Sequence, residues 1–176
     1  ALHAHLEDKV RRNLPNALIV ASQLLFNLQS VARAPMVAEQ HYNTDNAMFA
    51  RMLGPTMNYS CGYWKDAETL DEAQRNKMDL ICRKLDLKEG MSVLDIGCGW
   101  GGLSLYMAKE YGVKVTGVTI STEQLAYARE HDAGHLVNWL LQDYRSMEGQ
   151  FDRIVSVGMF EHVGRKNYDI FMKTTK

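Results

Sequence analysis

The stretch from residue 91 to residue 102 constrains this chain more than any other. It reads Met-Ser-Val-Leu-Asp-Ile-Gly-Cys-Gly-Trp-Gly-Gly, a short apolar run followed by four closely spaced glycines. The apolar run predicts a buried strand of a parallel sheet, and the apolar spacing after the glycines predicts a helix. Glycine lets the backbone approach a ligand closely, and the first N–H groups of a helix favour negative groups. The stretch therefore predicts a nucleotide-binding turn between a strand and a helix.

Two classes of nucleotide ligand fit this turn. Gly97, Gly99 and Gly102 match the dinucleotide fingerprint G-x-G-x-x-G, which also calls for an acidic residue at the end of the second strand. The first acid after that strand is Glu123, already inside the next predicted helix, whereas Asp95 stands just before the first glycine. An acid at that place suits a ligand with an amino group and a sulfonium charge, such as S-adenosylmethionine (SAM). The glycine spacing by itself leaves a dinucleotide and a ligand-free turn as alternatives.

Composition and charge narrow the class of protein. A length of 176 residues predicts one domain, and 46% hydrophobic residues are enough for a packed core. The net charge of −1 gives no basic field, so we expect no nucleic-acid partner. The three cysteines form no C-x-x-C pair, which favours a reducing cytoplasm and no metal site. No apolar stretch has the length of a membrane span.

Strand and helix patterns alternate along the second part of the chain. The alternation predicts an α/β fold with a doubly wound, mostly parallel sheet and right-handed crossovers. Residues 1–66 are interpreted as an N-terminal helical and lid segment, and residues 67–176 as the nucleotide-binding core. Thr69-x-x-Glu72 is a capping box that predicts a helix running to about Leu85. The other predicted helices are 1–35, 47–53, 101–111, 121–131 and one from about residue 166, and the predicted strands are 91–96, 113–118, 136–142 and 152–157.

The predicted sheet has only four strands, and the last would be an uncovered edge. Folds of this type normally continue with further strands, whereas the sequence ends at Lys176 inside a predicted helix. We therefore expect the fold to be truncated after its fourth strand and the sequence to be part of a longer protein.

Two motifs outside the glycine turn are highly specific. They are Tyr-Ser-Cys-Gly-Tyr-Trp at 59–64 and Gly-Met-Phe-Glu-His-Val-Gly at 158–164. With the glycine turn and shorter segments at 41–42, 118–121 and 141–145, the chain resembles the cyclopropane-fatty-acyl-phospholipid synthases, relatives of the mycolic acid cyclopropane synthases. The resemblance implies a Rossmann-like, SAM-dependent methyltransferase fold. It also implies transfer of a methylene group to the cis double bond of phospholipid acyl chains.

The cofactor-binding residues are predicted partly from the glycine turn and partly from the family resemblance. The glycine turn points to Asp95, Gly97, Gly99 and Gly101. The resemblance implies Tyr59 and Ser60 at the methionine carboxylate, Thr119, Ile120 and Gln124 at the ribose and adenine, and Gln142 and Asp143 beside the adenine. Each has a plainer interpretation: a loop packed by Tyr59, a capping box of Ser121 with Gln124, and an ordinary turn at 142–143.

A base must remove a proton to close the ring, and a carboxylate in an apolar channel would tend to be protonated. The resemblance implies that a bound bicarbonate is this base, held by Glu161 and by Cys61 through its backbone. The plainer interpretation of Glu161 is a solvated acid or an ion pair. A His and a Tyr that complete the bicarbonate site in the family would lie beyond Lys176.

The leading hypothesis is therefore a SAM-dependent enzyme that forms cyclopropane fatty acids. The alternatives are a related lipid or small-molecule C-methyltransferase without ring closure, and a truncated cofactor-binding module without turnover. Basic residues at 9, 11 and 12 lie beside leucines at 14, 18, 24, 25 and 28. We expect a cytoplasmic protein that this segment docks on an anionic membrane surface, unless the leucines pack on the core. The sequence leaves open whether the chain forms a homo-oligomer.

Overall fold

The structure is a computed structural model that describes residues 46–176. Parallel strands form its central sheet, in the spatial order β3-β2-β1-β4. Each strand is short, and β-branched residues are frequent in the second and fourth strands, which suits strands buried between helices. The strands are β1 (Ser92–Ile96), β2 (Lys114–Thr119), β3 (Val137–Leu141) and β4 (Arg153–Val155).

Helices connect the strands and cover both faces of the sheet. The predicted capping box at Thr69 is present, with Glu72 bonded back to the Thr69 backbone N–H at 3.0 Å. Left-handed Gly112 ends the helix after β1. The helices are α1 (Asn46–Leu53), α2 (Leu70–Lys84), α3 (Gly102–Tyr111), α4 (Thr122–His131), α5 (Phe160–Val163) and α6 (Tyr168–Thr174), with 3₁₀ turns at Tyr144–Ser146 and Arg165–Asn167.

The strand order creates a switch point beside β1. The chain passes from β1 outward to β2 and β3, and then returns so that β4 pairs with the other side of β1. Connections therefore leave β1 and β4 in opposite directions, which opens a crevice at the carboxyl ends of these two strands. The glycine turn follows β1 directly, so it lies at this crevice.

The core is divided between the two faces of the sheet. One cluster packs Val93, Val115 and Val137 of successive strands against α2, α3 and α4. The other packs Leu94 and Ile96 against the segment that follows β4, including α5 and α6. This alternation along β1 gives the two covered faces of a doubly wound sheet.

The segment before the core covers the glycine turn. Trp100, in that turn, is buried with Phe49, Leu53 and Met57, and its indole N–H donates to the Asn46 side chain at 2.9 Å. The carbonyl oxygen of Thr56 lies so close to the α-carbon of residue 102 that a side chain there would overlap it. Glycine at the start of α3 therefore lets residues 46–58 sit directly over the turn.

Most predicted elements agree with the structure, and the differences lie after residue 150. Strand β4 is three residues long, against six predicted, because beyond it the Ser156 hydroxyl, rather than the strand ladder, bonds the Ile96 carbonyl at 3.0 Å. The segment between the predicted strand 152–157 and the helix predicted from about residue 166 contains α5. The helix predicted from residue 166 begins as a 3₁₀ turn and becomes α-helical at Tyr168.

The predictions for residues 1–45 lie outside the described residues. They include the N-terminal helix and its basic residues, and the boundary between residues 66 and 67 stays a prediction. Within residues 46–176, no helix is both long enough and apolar enough to cross a membrane. The same residues contain no cluster of three His, Cys, Asp or Glu side chains suited to a metal ion.

Candidate cofactor site

A cavity of about 190 Å³ lies at the carboxyl ends of the strands. Its walls come from the loop at 57–60, the glycine turn and the residues that follow β2, β3 and β4. Since neighbouring strands are about 4.8 Å apart, a ligand crossing all four strand ends would span roughly 14 Å. Ten of the predicted site residues line this cavity: Tyr59, Ser60, Asp95, Gly97, Gly99, Thr119, Ile120, Gln124, Gln142 and Asp143.

Three predicted residues do not line the cavity. Gly101 faces the indole of Trp139 and the methyl of Ala128, so packing by itself accounts for its lack of a side chain. Cys61 and Glu161 are exposed on the segments that border the cavity. The cofactor role of Gly101 and the catalytic roles of Cys61 and Glu161 stay predictions.

Asp95 is the acidic group at the centre of the cavity. It is the last residue but one of β1, and its side chain accepts a hydrogen bond from the Ser104 hydroxyl at 2.6 Å. Burial raises the pKa of Asp95 to about 6, and the Ser104 hydrogen bond only partly offsets this. At neutral pH the carboxylate is ionised and can pair with a positive group of a ligand.

One end of the cavity lies beside β2. The Thr119 hydroxyl donates to the side-chain oxygen of Gln124 at 3.0 Å, and both side chains are buried. The Ser121 hydroxyl accepts from the Gln124 backbone N–H, as in a capping box. The reciprocal half of that box is missing, because the Ser121 N–H donates to Thr119 instead. Helix capping therefore does not account for the Gln124 side chain, which keeps an amide NH2 available for a ligand.

Residues 142–145, after β3, form a tight turn on the cavity wall. Asp143 caps the 3₁₀ turn and holds Arg145 in a two-point ion pair at 2.6 and 2.8 Å. Burial alone would raise the pKa of Asp143, but the hydrogen bonds from Arg145 outweigh burial and lower it. Gln142 donates to the Ser146 carbonyl at 2.8 Å. These residues thus form the turn that the plainer interpretation predicts. Their contact with an adenine stays a prediction.

The opposite end of the cavity is held by α2. The buried Gln74 side chain donates to the carbonyls of Asn58 and Ser60 at 3.3 and 2.9 Å. One turn later, the Lys77 ammonium donates to the Ser60 hydroxyl at 2.7 Å and also lines the cavity. Helix α2 therefore fixes the backbone and the side chain of the 58–60 loop.

Glu161 lies near this same loop. A side chain built at Gly158 would lie 3.9 Å from the Glu161 carboxylate, 3.8 Å from the Ser60 β-carbon and 3.9 Å from the Tyr59 carbonyl. Gly158, the first residue of the second motif, therefore faces the first motif. The structure brings Glu161 to the loop that precedes Cys61, although the two motifs are about a hundred residues apart.

Sequence reasoning missed two residues of the site. Trp100 links the glycine turn to α1, and its position between two glycines was the available signal. Lys77 was missed because α2 is polar over much of its surface, with charged residues at seven of its fifteen positions. A buried lysine on such a helix cannot be told from its solvated neighbours by pattern alone.

Comparison with known proteins identifies the family. The profile described as mycolic acid cyclopropane synthetase matches residues 29–176. The chain belongs to this family. The match agrees with the resemblance of the two specific motifs, and the parallel sheet confirms the predicted α/β fold.

Individual relatives agree with this assignment. Cyclopropane-fatty-acyl-phospholipid synthase of Escherichia coli (strain K12) is 57% identical over 170 residues, which cover 97% of this chain and 44% of that protein. A probable fatty acid methyltransferase of Pseudomonas putida is 45% identical over 138 residues, covering 74% of this chain and 35% of that protein. The chain thus spans less than half the length of these curated relatives.

A solved structure shows the same architecture. The crystal structure of mycolic acid cyclopropane synthase CmaA1, complexed with SAH and CTAB, matches with a TM-score of 0.76 and 37% identity. The match covers 80% of this chain and 51% of that chain.

Proposed function

We propose that the full-length protein transfers a methylene group from SAM to the cis double bond of unsaturated phospholipid acyl chains, forming cyclopropane fatty acids. The observation that carries this proposal is the cavity at the switch point, where the glycine turn meets the motif of residues 158–164. Membership in the cyclopropane synthetase family supports the choice of reaction. The E. coli relative, named a cyclopropane-fatty-acyl-phospholipid synthase, supports the choice of lipid.

The residues of the cavity fit SAM as the cofactor. Buried Asp95 provides negative charge for the positive groups of the ligand, and Gly99 leaves the backbone open to close approach, since no atom lies within 4 Å of the place of its missing β-carbon. Thr119 and Gln124 offer hydrogen-bonding groups for a ribose or a base. When bound, SAM supplies an electrophilic methyl group. The reaction would require this methyl group to be held in line with the alkene and away from water.

Ring closure requires removal of a proton after the methyl group has been transferred. We infer that bicarbonate is the base, and that Glu161 and the backbone of Cys61 hold it. An ionised carboxylate only accepts hydrogen bonds, so Glu161 would orient bicarbonate through the bicarbonate O–H. The Glu161 carboxylate and the 59–60 loop both lie within 4 Å of the position that a β-carbon at Gly158 would take, which supports this arrangement.

A second candidate function is methyl transfer without ring closure. The similarity to a probable fatty acid methyltransferase of Pseudomonas putida favours this alternative. Both reactions use the same cofactor and the same class of lipid. They differ only in the step that removes the proton.

Lipid mass spectrometry separates the two candidates. Cells that express the full-length protein should gain lipids heavier by one CH2 group, with loss of the reactivity of the double bond. The same gain in mass with the double bond retained would establish methylation without ring closure. No gain in mass would reject both activities and favour a cofactor-binding module.

Calorimetric titration of the full-length protein tests the cofactor. SAM should bind and NAD should not, because no acid stands at the end of β2 to hold the ribose of a dinucleotide. Tight NAD binding without heat from SAM would overturn the proposal.

The lipid substrate places the proposed reaction at a membrane surface. The basic residues at 9, 11 and 12 are the best candidates for docking on anionic lipid, each contributing about 1 kcal/mol. Co-sedimentation with anionic vesicles should weaken in high salt and in the variant with alanine at these three positions. Equal binding by the variant would exclude this segment as the anchor.

A further inference from the structure

Lys77 is a buried cation in the cavity wall, and its hydrogen bond to Ser60 determines the direction in which the Ser60 hydroxyl can donate. The side chain of Lys77 is 9% exposed, and its ammonium group lies 2.7 Å from the Ser60 hydroxyl oxygen. An ammonium group only donates hydrogen bonds, so the Ser60 oxygen is the acceptor in this contact. The Ser60 hydroxyl hydrogen must therefore point away from Lys77.

The Ser60 hydroxyl hydrogen has no acceptor among residues 46–176. Ser60 lines the cavity, and its carbonyl is already bound by Gln74. A donor held in this way, and polarised by the adjacent positive charge, selects a ligand atom that accepts hydrogen bonds.

In the described part of the chain no carboxylate forms an ion pair with Lys77, and Cys61 is the neighbouring group that favours its charged form. Burying an unpaired charge is costly, and burial lowers the pKa of Lys77 to about 8. Helix α2 nevertheless presents this lysine to the cavity rather than to solvent. An anionic ligand group would supply the missing partner.

We propose that Lys77 recognises the carboxylate at the amino-acid end of the cofactor, directly and through the hydroxyl of Ser60. This inference rests on the proposed function, since it assumes that SAM occupies the cavity. Asp95 lies in the same cavity with the opposite charge. Lys77 and Asp95 would thus orient an amino-acid zwitterion, with the carboxylate towards α2 and the ammonium towards β1.

Decarboxylated SAM provides a direct test, because it lacks the carboxylate and keeps the adenosine, sulfonium and amino groups. Wild-type full-length protein should bind SAM about 10- to 100-fold more tightly than decarboxylated SAM in calorimetric titrations. Lys77→Met should lose most of this preference by weakening SAM binding alone. Lys84→Met is the matched control, since Lys84 is an exposed lysine at the end of the same helix. It should bind both ligands as the wild type does.

Each other result has a defined meaning. Equal weakening of both ligands in Lys77→Met would show that Lys77 only shapes the cavity, and unchanged binding would show that it contributes nothing. Either result overturns the inference and leaves the proposed function standing. Wild-type protein that binds neither ligand would instead reject the proposed function.

A bicarbonate-free titration separates the cofactor carboxylate from a small anion. If Lys77 binds the cofactor, the loss of SAM affinity in Lys77→Met should be the same with and without added bicarbonate. A loss seen only with bicarbonate would assign Lys77 to that anion and overturn the inference.

Discussion

Trp139 lies directly across from Gly117 on the neighbouring strand, and its indole ring fills the space that a side chain at Gly117 would occupy. The two residues are register partners on β3 and β2. A β-carbon at Gly117 would lie 2.8 Å from the ring, and one at Gly101 would lie 2.5 Å from it. One buried indole therefore packs against both the sheet and the glycine turn, so packing by β3 helps to determine the position of the turn.

Gly117→Ala should destabilise the protein by about 1 to 3 kcal/mol, because the added methyl group overpacks the contact with the indole. Thermal or urea unfolding of the full-length protein measures this change. The double variant Gly117→Ala/Trp139→Leu tests the cause, since removing the ring removes the clash. The two substitutions should be strongly non-additive, and additive effects would show that the indole is not responsible.

Asp132 holds the other side of the same indole. Its carboxylate accepts hydrogen bonds from the Trp139 ring N–H at 3.0 Å and from the backbone N–H groups of Leu136 and Val137 at 2.9 and 3.0 Å. Asp132→Ala leaves these donors without their acceptor and should cost about 3 kcal/mol or more in the free energy of unfolding. Glu130→Ala, at an exposed site on α4, should cost little. Similar losses in both variants would argue against a specific role for Asp132.

The sequence predicts the sheet and the glycine turn well because their signals are local. Apolar runs, glycines and the capping box at Thr69 each depend on residues a few positions apart. The Gly117–Trp139 contact and the bond between Lys77 and Ser60 depend on the fold bringing distant segments together. Neither has a periodic pattern, so both were found only in the structure.

Helix α5 also could not be predicted from the sequence pattern. It has four residues, too few to show a helical period, and it lies between Gly158 and Gly164, which predict a loop. The catalytic role of Glu161 was predicted from the resemblance of its motif to the family. Its closeness to the 59–60 loop follows from the pairing of β4 with β1, which the sequence pattern did not specify.

Glu161→Gln should lower turnover of the full-length enzyme by about 10²-fold while leaving SAM affinity largely unchanged. The amide keeps the size of the side chain but loses the charge that would orient bicarbonate. Lipid product formation and calorimetric SAM binding, measured side by side, check the two parts of this prediction. Glu148→Gln, at an exposed position after the 3₁₀ turn, is the matched control. Full activity in Glu161→Gln would show that Glu161 is a solvated acid without a catalytic role.

Asp95 should make both stability and cofactor binding depend on pH. Burial raises its pKa from 3.8 to about 6 in the folded chain, so the folded chain keeps this proton to a higher pH than the unfolded chain does. Without ligand, the folding stability of the wild type relative to that of Asp95→Asn should therefore be greatest at pH values below the pKa of Asp95 in the unfolded chain. The wild type should lose that advantage as pH rises through about 6.

SAM affinity should change in the opposite direction, because only ionised Asp95 can pair with the positive groups of the cofactor. As the pH falls below about 6, the wild type should lose up to tenfold in affinity per pH unit, and Asp95→Asn should lack this dependence. Because Lys77, Asp143 and His162 also line the cavity, the decisive quantity is the ratio of the SAM affinities of the wild type and Asp95→Asn. Calorimetric titration between pH 5 and pH 7.5 measures it. A ratio that stays constant across this range would mean that Asp95 does not pair with the cofactor, and that its carboxylate serves only to hold Ser104 at the start of α3.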